Sequence, residues 1–265
     1  MIKKENEIKE IKKNAILSSK TLGILTDYIK PGINLLFLEK KAKEYIMDNK
    51  GYPAFLGLYN FPFSICISIN NQIIHGLPRN KILKEGDIIT IDCGVFKNNF
   101  YSDIAYTYKV GKISKENERL LKITKKALKI GIKTFKIGKK IEDIGYKINK
   151  FITKNKFFVV KDFVGHGIGK KLHELPNVPN YGRKSKGLKI CNGLVLSIEP
   201  MVIIGTDKII KDKNGWTYKS LNKKNSAHFE HNVAIFKNKT IILSTFKYIK
   251  KRIKKNANYT TINKK

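Results

Sequence analysis

Hydrophobic periodicity switches from helical to extended twice along this chain, in the same order each time, and that restricts it to a fold of two similar halves. Residues 3–28 carry Ile8, Ile11, Ala15, Ile16, Leu22 and Leu25 at helical spacing, and Pro31-Gly32 stops the helix. A second helix is predicted over 35–49, ending before Gly51. The period then falls to two. Residues 64–69, 73–75, 87–92 and 101–108 read as strands, with Lys97-Asn98-Asn99 as a hairpin turn between the last two. In the second half, helices are predicted over 115–134 and 139–154, then strands near 157–160, 194–198, 216–220, 227–236 and 240–244. The segments IKPGINLLFLEKKAKEYIMDNK and FKIGKKIEDIGYKINKFITKNK match faintly at an offset of 106 residues. The expected architecture is α+β, two halves sharing a central sheet, with a site between them fed by both. One domain is expected over 1–245, and the basic tail 246–265, with KKRIKK and little apolar content after Ile253, is expected to fray.

Charge constrains function less than its size suggests. Lys plus Arg number 54 against 21 acids, a formal +33, but only four of the 54 are arginines. Proteins that read nucleic acid lean on Arg for bidentate contacts. The lysines here come with abundant Ile and Asn, a pattern that mutational bias toward A and T produces, so no specific DNA binding is expected. Salt-dependent attraction to RNA, ribosomal RNA included, still follows from the charge. No apolar run approaches the ~18 residues of a membrane span. The opening MIKKENEIKEIK lacks the apolar core of a secretory signal. Three widely spaced cysteines suit reduced thiols, and a cytoplasmic location is expected.

The chemistry lies in isolated acids and scarce histidines. Asp92 closes the apolar run IITIDCG, where a carboxylate must be paired, hydrogen-bonded or metal-bound. Alternation puts Ile88, Thr90 and Asp92 on one face, with Tyr101, Asp103 and Ala105 alternating across the hairpin. The two carboxylates could therefore meet at ligand distance, although a turn-capping role would suit Asp103 better than Asp92. Four of the five histidines (His166, His173, His228 and His231) fall within 66 residues. For any one of them a structural role is the simpler reading; for the set that reading weakens. In FVGHGIGKKLHELP the glycines around His166 are expected to let the backbone approach a cation or substrate. Its spacing to His173 does not match the helical pair of a zincin. Glu199 ends LVLSIEP, and SAHFEHNVAI sets His228, Glu230 and Asn232 on one strand face. In a chain with 50 lysines, neither glutamate has one adjacent, so their partners are expected to be cations from outside the sequence. Asp92, Asp103, Glu199 and Glu230 bring four negative charges, which two divalent ions would balance in a cluster of about 3.5–4 Å metal spacing.

The ordered motifs IIHG, IDCG with Asp103 eleven residues on, GHGIG…HELP, SIEPM and EHN closely resemble the type I, bacterial-type methionine aminopeptidases over residues 5–245. The resemblance implies the pita-bread fold of pseudo-twofold halves and removal of the initiator Met from nascent chains whose second residue is small. It implies Asp92 as a terminal ligand of one metal, His166 and Glu199 as ligands of the other, and Asp103 and Glu230 as bridges. Glu199 would also shuttle the proton, His173 would stabilise the oxyanion, and His75 would bond the scissile amide. Mn, Fe(II), Co or Zn would each suit the ligand set. A long insert would separate the last two ligands in the type II enzymes; only 30 residues separate Glu199 from Glu230.

Phe61, Cys66 and Trp216 fit the methionine pocket the resemblance implies. Leu58 and Leu172 stand where Tyr and Phe are expected, Phe55 where Cys is, and His228 where Gln is. Weaker preference for Met over Leu is expected from the lost thioether–aromatic contact. Nascent N-termini, salt-dependent ribosome association and a monomeric state complete the expectations. The competing reading is a non-catalytic adaptor that binds RNA through its lysines, against which stands the complete ligand set.

Overall fold

The computed structural model describes residues 1–262, with side chains described to 256. The first half runs through α1 (Glu5–Leu25), α2 (Leu35–Asp48), β1 (Tyr52–Pro53), a 3-10 turn at Leu58–Asn60, β2 (Cys66–Ile69), β3 (Gln72–Ile74), β4 (Ile88–Asp92), β5 (Val95–Lys97), β6 (Phe100–Ser102) and β7 (Ala105–Lys109). The second half runs through α3 (Lys115–Thr134), α4 (Ile141–Lys154), β8 (Phe158–Val159), β9 (Gly165–Gly167), β10 (Glu174–Val178), β11 (Val195–Ile198) and β12 (Met201–Ile203). It continues through β13 (Ile209–Lys211), β14 (Tyr218–Ser220), β15 (Ser226–His228), β16 (His231–Phe236) and β17 (Lys239–Ile242) to α5 (Lys247–Ile262).

The faint internal match is a structural repeat. Both ends of α4 lie 106 residues beyond those of α2, and a left-handed glycine precedes each helix, Gly32 at φ 88° and Gly138 at φ 83°. Local chemistry starts the two helices differently. The Asn34 side chain accepts a hydrogen bond from Leu36 N at 2.9 Å, whereas Asp143 in α4 reaches back to accept from Lys140 N at 2.9 Å. Ile141, Ile144, Ile148 and Ile152 form the buried stripe of α4 at the spacing its periodicity required.

All paired strands are antiparallel. Two ladders form the central layer, β2-β4-β7 from the first half and β10-β9-β11-β16-β17 from the second, with three smaller three-stranded pieces around them. The halves are tied together by individual bonds. Glu230 N donates to Ala105 O at 2.9 Å, and His228 N donates to Thr107 Oγ1 at 2.9 Å while that hydroxyl donates to His228 O at 2.7 Å.

Two predicted strands are broken, and both breaks fall at an acid. The run 101–108 divides at Asp103-Ile104, which sends Tyr101 into the separate β1-β5-β6 ladder, and the run 227–236 divides at Phe229-Glu230. Asn98 at φ 51° and Asn99 at φ 64° form the expected hairpin turn, but it links β5 to β6 rather than β4 to β7. The tail expected to fray is instead helical from Lys247, because Phe246 and Ile249 are buried and Tyr248 packs over Gly23 of α1. Its last residues, 263–265, lie outside the described part. No helix among the described residues is long and apolar enough to cross a membrane.

Candidate metal centre

Strand register places the acids. Asp92 pairs across the first ladder with Cys66 on one side and Ala105 on the other. One step along the same face, the Thr90 and Thr107 hydroxyls share a 2.8 Å hydrogen bond. In the second ladder Ser197 stands between His166 and Asn232, and the Asn232 amide donates to Ser197 Oγ at 2.7 Å. Period two then carries Glu199 and Glu230 onto the face of Ser197 and Asn232. Asn232 closes the seam, its Oδ1 accepting from Asp103 N at 2.7 Å.

The side chains converge on a cavity of about 350 Å³ lined by all five predicted ligands, Asp92, Asp103, His166, Glu199 and Glu230, and by His75, His173, Phe61, Cys66 and Trp216. Ligand atoms of Asp103, His166 and Glu230 lie within 4.8 Å of one another. His166 Nε2 stands 3.5 Å from Glu199 Oε1 and 3.9 Å from Asp103 Oδ2. The glycines flanking His166 are required by the sheet: a methyl on Gly165 would strike the carbonyl oxygen of Ser197, and one on Gly167 that of Leu175.

Electrostatically the cluster is unbalanced. Burial drives the Asp103 carboxyl well above the usual carboxylate range, and the charges of Glu230, Asp92 and Glu199 push it further. Burial first, and then neighbouring acids, does the same to Glu230 and Glu199. Asp92 is also raised by burial, against the opposing pull of His228. Among the described residues, only His166 and His228 come within ion-pair distance of these acids, and no lysine or arginine does. Burial holds His166 neutral, its pKa pushed down to about 3, as a ligating imidazole requires. Asp92 Oδ1 and Glu230 Oε1 are buried with no hydrogen-bond partner. Orphaned, clustered and uncompensated carboxylate oxygens beside a neutral imidazole fit divalent cations.

An apolar slot opens beside the acids. Phe61 meets Trp216 edge to face at 5.1 Å, and Phe55, Leu58, Cys66 and Leu172 complete its buried or half-buried wall. Trp216 is held by an Asn214 turn, in which Asn214 Oδ1 accepts from Trp216 N at 2.8 Å and from Thr217 N at 2.9 Å. Burial and the Asp92 charge push the Cys66 thiol well up, so it is a neutral wall group.

Sequence reasoning missed Tyr59, whose ring stacks parallel to His173 at 6.4 Å, and Phe163, edge-on to His75 at 5.6 Å. Both line the cavity. Tyr59 faces it only because its backbone turns left-handed at φ 50°, just after Gly57, which no periodicity signals. His75 is left-handed too, at φ 54°, and its carbonyl accepts from Thr217 Oγ1 at 3.2 Å. Histidine adopts this conformation more readily than most non-glycine residues.

Clustered acids among neutral imidazoles, at the seam of two like halves and beside an apolar slot, are the equipment of a metal-dependent hydrolase. The sequence model of Metallopeptidase family M24 matches residues 9–237, and the chain belongs to that family. It is 45% identical to the methionine aminopeptidase of Clostridium perfringens over 93% of this chain and 99% of that one. The crystal structure of methionine aminopeptidase from Rickettsia prowazekii superposes with a TM-score of 0.91 at 35% identity, covering 92% of this chain and 99% of that one. The prolidase from Pyrococcus furiosus shares the fold at 22% identity, with a TM-score of 0.72 over 92% of this chain and 65% of its own.

Proposed function

We propose that this protein is a bacterial-type methionine aminopeptidase, removing the N-terminal methionine of new polypeptides when the second residue is small. The observation that carries this reading is the contiguity of two sites in one cavity: an apolar slot walled by Phe61, Trp216, Leu58 and Leu172, opening onto acids without a protein counter-charge. In this reading Asp92, Asp103, His166, Glu199 and Glu230 hold two divalent ions. When bound, these lower the pKa of water and polarise the scissile carbonyl.

The protein's own groups do the rest. Phe61, Trp216, Cys66, Leu58 and Leu172 take the methionine side chain and exclude water from it. Glu199, whose own affinity for a proton burial has raised, accepts the proton of the attacking water and passes it to the departing amine. His173, beside the Tyr59 ring, donates to the oxygen that becomes negative. His75 is kept neutral by burial, its pKa near 4, and bonds the scissile amide.

The test is release of Met from Met-Ala-Ser by metal-stripped protein reconstituted with Mn, Fe(II), Co or Zn. Turnover that requires a metal and is absent for N-acetylated peptide supports the reading; silence with every metal shown to bind would favour the adaptor. The lysine-rich surface supports a second element, salt-dependent association with ribosomes in the cytoplasm, where such N-termini arise. Ribosome sedimentation that does not weaken as salt rises would contradict it.

A further inference from the structure

His228 stands outside the five-ligand set, yet it is the most deeply placed imidazole in the cavity. Its residue is 2% exposed, and neither Nδ1 nor Nε2 has a hydrogen-bond partner. An imidazole with both nitrogens buried and unpartnered is anomalous, since buried polar groups are almost always satisfied. The Thr107 hydroxyl clamps both the N–H and the carbonyl of His228, and its Cα is paired with Met201 across β12.

What faces the ring is Glu199. His228 Nε2 lies 3.5 Å from Glu199 Oε2, just as His166 Nε2 lies 3.5 Å from Glu199 Oε1. The carboxylate is thus bracketed by two imidazoles at equal distances, one on each oxygen. That separation exceeds the usual hydrogen-bond range of about 2.7–3.2 Å. It suits two donors sharing one ion: with bonds of about 2.1 Å, ligand atoms in octahedral to tetrahedral arrangements stand about 3.0–3.4 Å apart. We propose that His228 is a second imidazole ligand of the metal centre, binding through Nε2 beside Glu199. This rests on the reading of the acid cluster as a metal site and adds to it. A centre with two imidazoles favours Zn, Fe(II) and Co over Mn more strongly than one with a single imidazole. The glutamine expected at this position from the family resemblance would offer an amide instead.

The experiment loads the metal-stripped full-length protein with two equivalents of Zn and counts imidazoles by X-ray absorption. In parallel, wild type and His228→Gln are titrated with Zn in competition with a chromophoric chelator, and with Co(II) while its d–d bands are followed. The proposal expects an average of one imidazole per metal in wild type. It also expects Zn binding at one site about 10- to 100-fold weaker in the variant, with changed Co(II) bands. Half an imidazole per metal in wild type, with the same affinities and bands in both proteins, would overturn it. The X-ray count on wild type decides even if the variant fails to fold. Failure of wild type to bind any metal would instead remove the metal-site reading itself, a result distinct from binding without His228.

Discussion

Glu230 and Phe229 are neighbours in the break between β15 and β16, and their side chains leave to opposite sides. On the Glu230 side, four acids crowd one cavity without a lysine or arginine in ion-pair reach among the described residues. On the Phe229 side lies a half-buried lysine without an acid. Lys125 Nζ stands 4.4 Å from the Tyr106 ring centre, 5.4 Å from that of Phe246 and 5.5 Å from that of Phe229, and donates to Tyr106 Oη at 2.9 Å. A chain with this much lysine has the means to neutralise its buried acids internally and does not use them. Its one caged lysine is satisfied by aromatic faces and a phenol, on the far side of the strand. The acids are thus kept free of protein cations, as the proposed metal site requires.

Substitution at the acids is expected to have the largest effect. Glu199→Ala should cost about 10³-fold or more in kcat while leaving the far side intact, since several kcal/mol of metal-assisted stabilisation depend on the ligand set. An active Glu199→Ala enzyme would mean that the cluster is not the centre. Next in size is the seam itself. Asn232→Ala leaves Asp103 N and Ser197 Oγ without their partner, and a loss of about 1–3 kcal/mol in denaturant unfolding is expected.

Lys125 provides a smaller, opposite test. Burial pulls its pKa down to about 8, below its unfolded value. Its contribution to stability is therefore fully present above the unfolded value and lost as pH falls through about 8. Wild-type stability should rise between pH 8 and 10, and Lys125→Met should flatten that rise without abolishing peptide turnover. An equal slope in both proteins would show that the aromatic cage keeps the charge at no cost. The smallest effect is expected at the slot. Leu172→Phe should restore thioether–aromatic contact of about 1 kcal/mol or less and sharpen Met-over-Leu selectivity a few-fold, measured as a ratio of kcat/KM values.

The helices, the repeat and the strand-borne acids could be read in the sequence because each follows from local periodicity. The stripe of α4 and the alternation that sets Glu199 beside Ser197 are properties of a few consecutive residues. What escaped reading depends on backbone that leaves periodicity. Alternation alone places Tyr101 on the strand of Asp103, but the chain turns at that acid and carries Tyr101 to another ladder. Tyr59 and Phe163 reach the cavity from irregular segments. That the glycines beside His166 also admit the close approach of β11 and β10 cannot be deduced before strand order is known. Phe246 and Ile249, two apolar residues in a lysine-rich tail, were enough to dock α5 on α1.

In the proposed enzyme, metal ions supply the charge that the chain withholds from its acids. The most direct measurement is calorimetric titration of metal-stripped protein with Co(II), in buffers of different ionisation enthalpy, with thermal unfolding recorded before and after. The account predicts about two ions per chain, release of protons from the raised carboxyls, and a higher Tm when loaded. No binding, or binding with neither proton release nor a change in Tm, would contradict it.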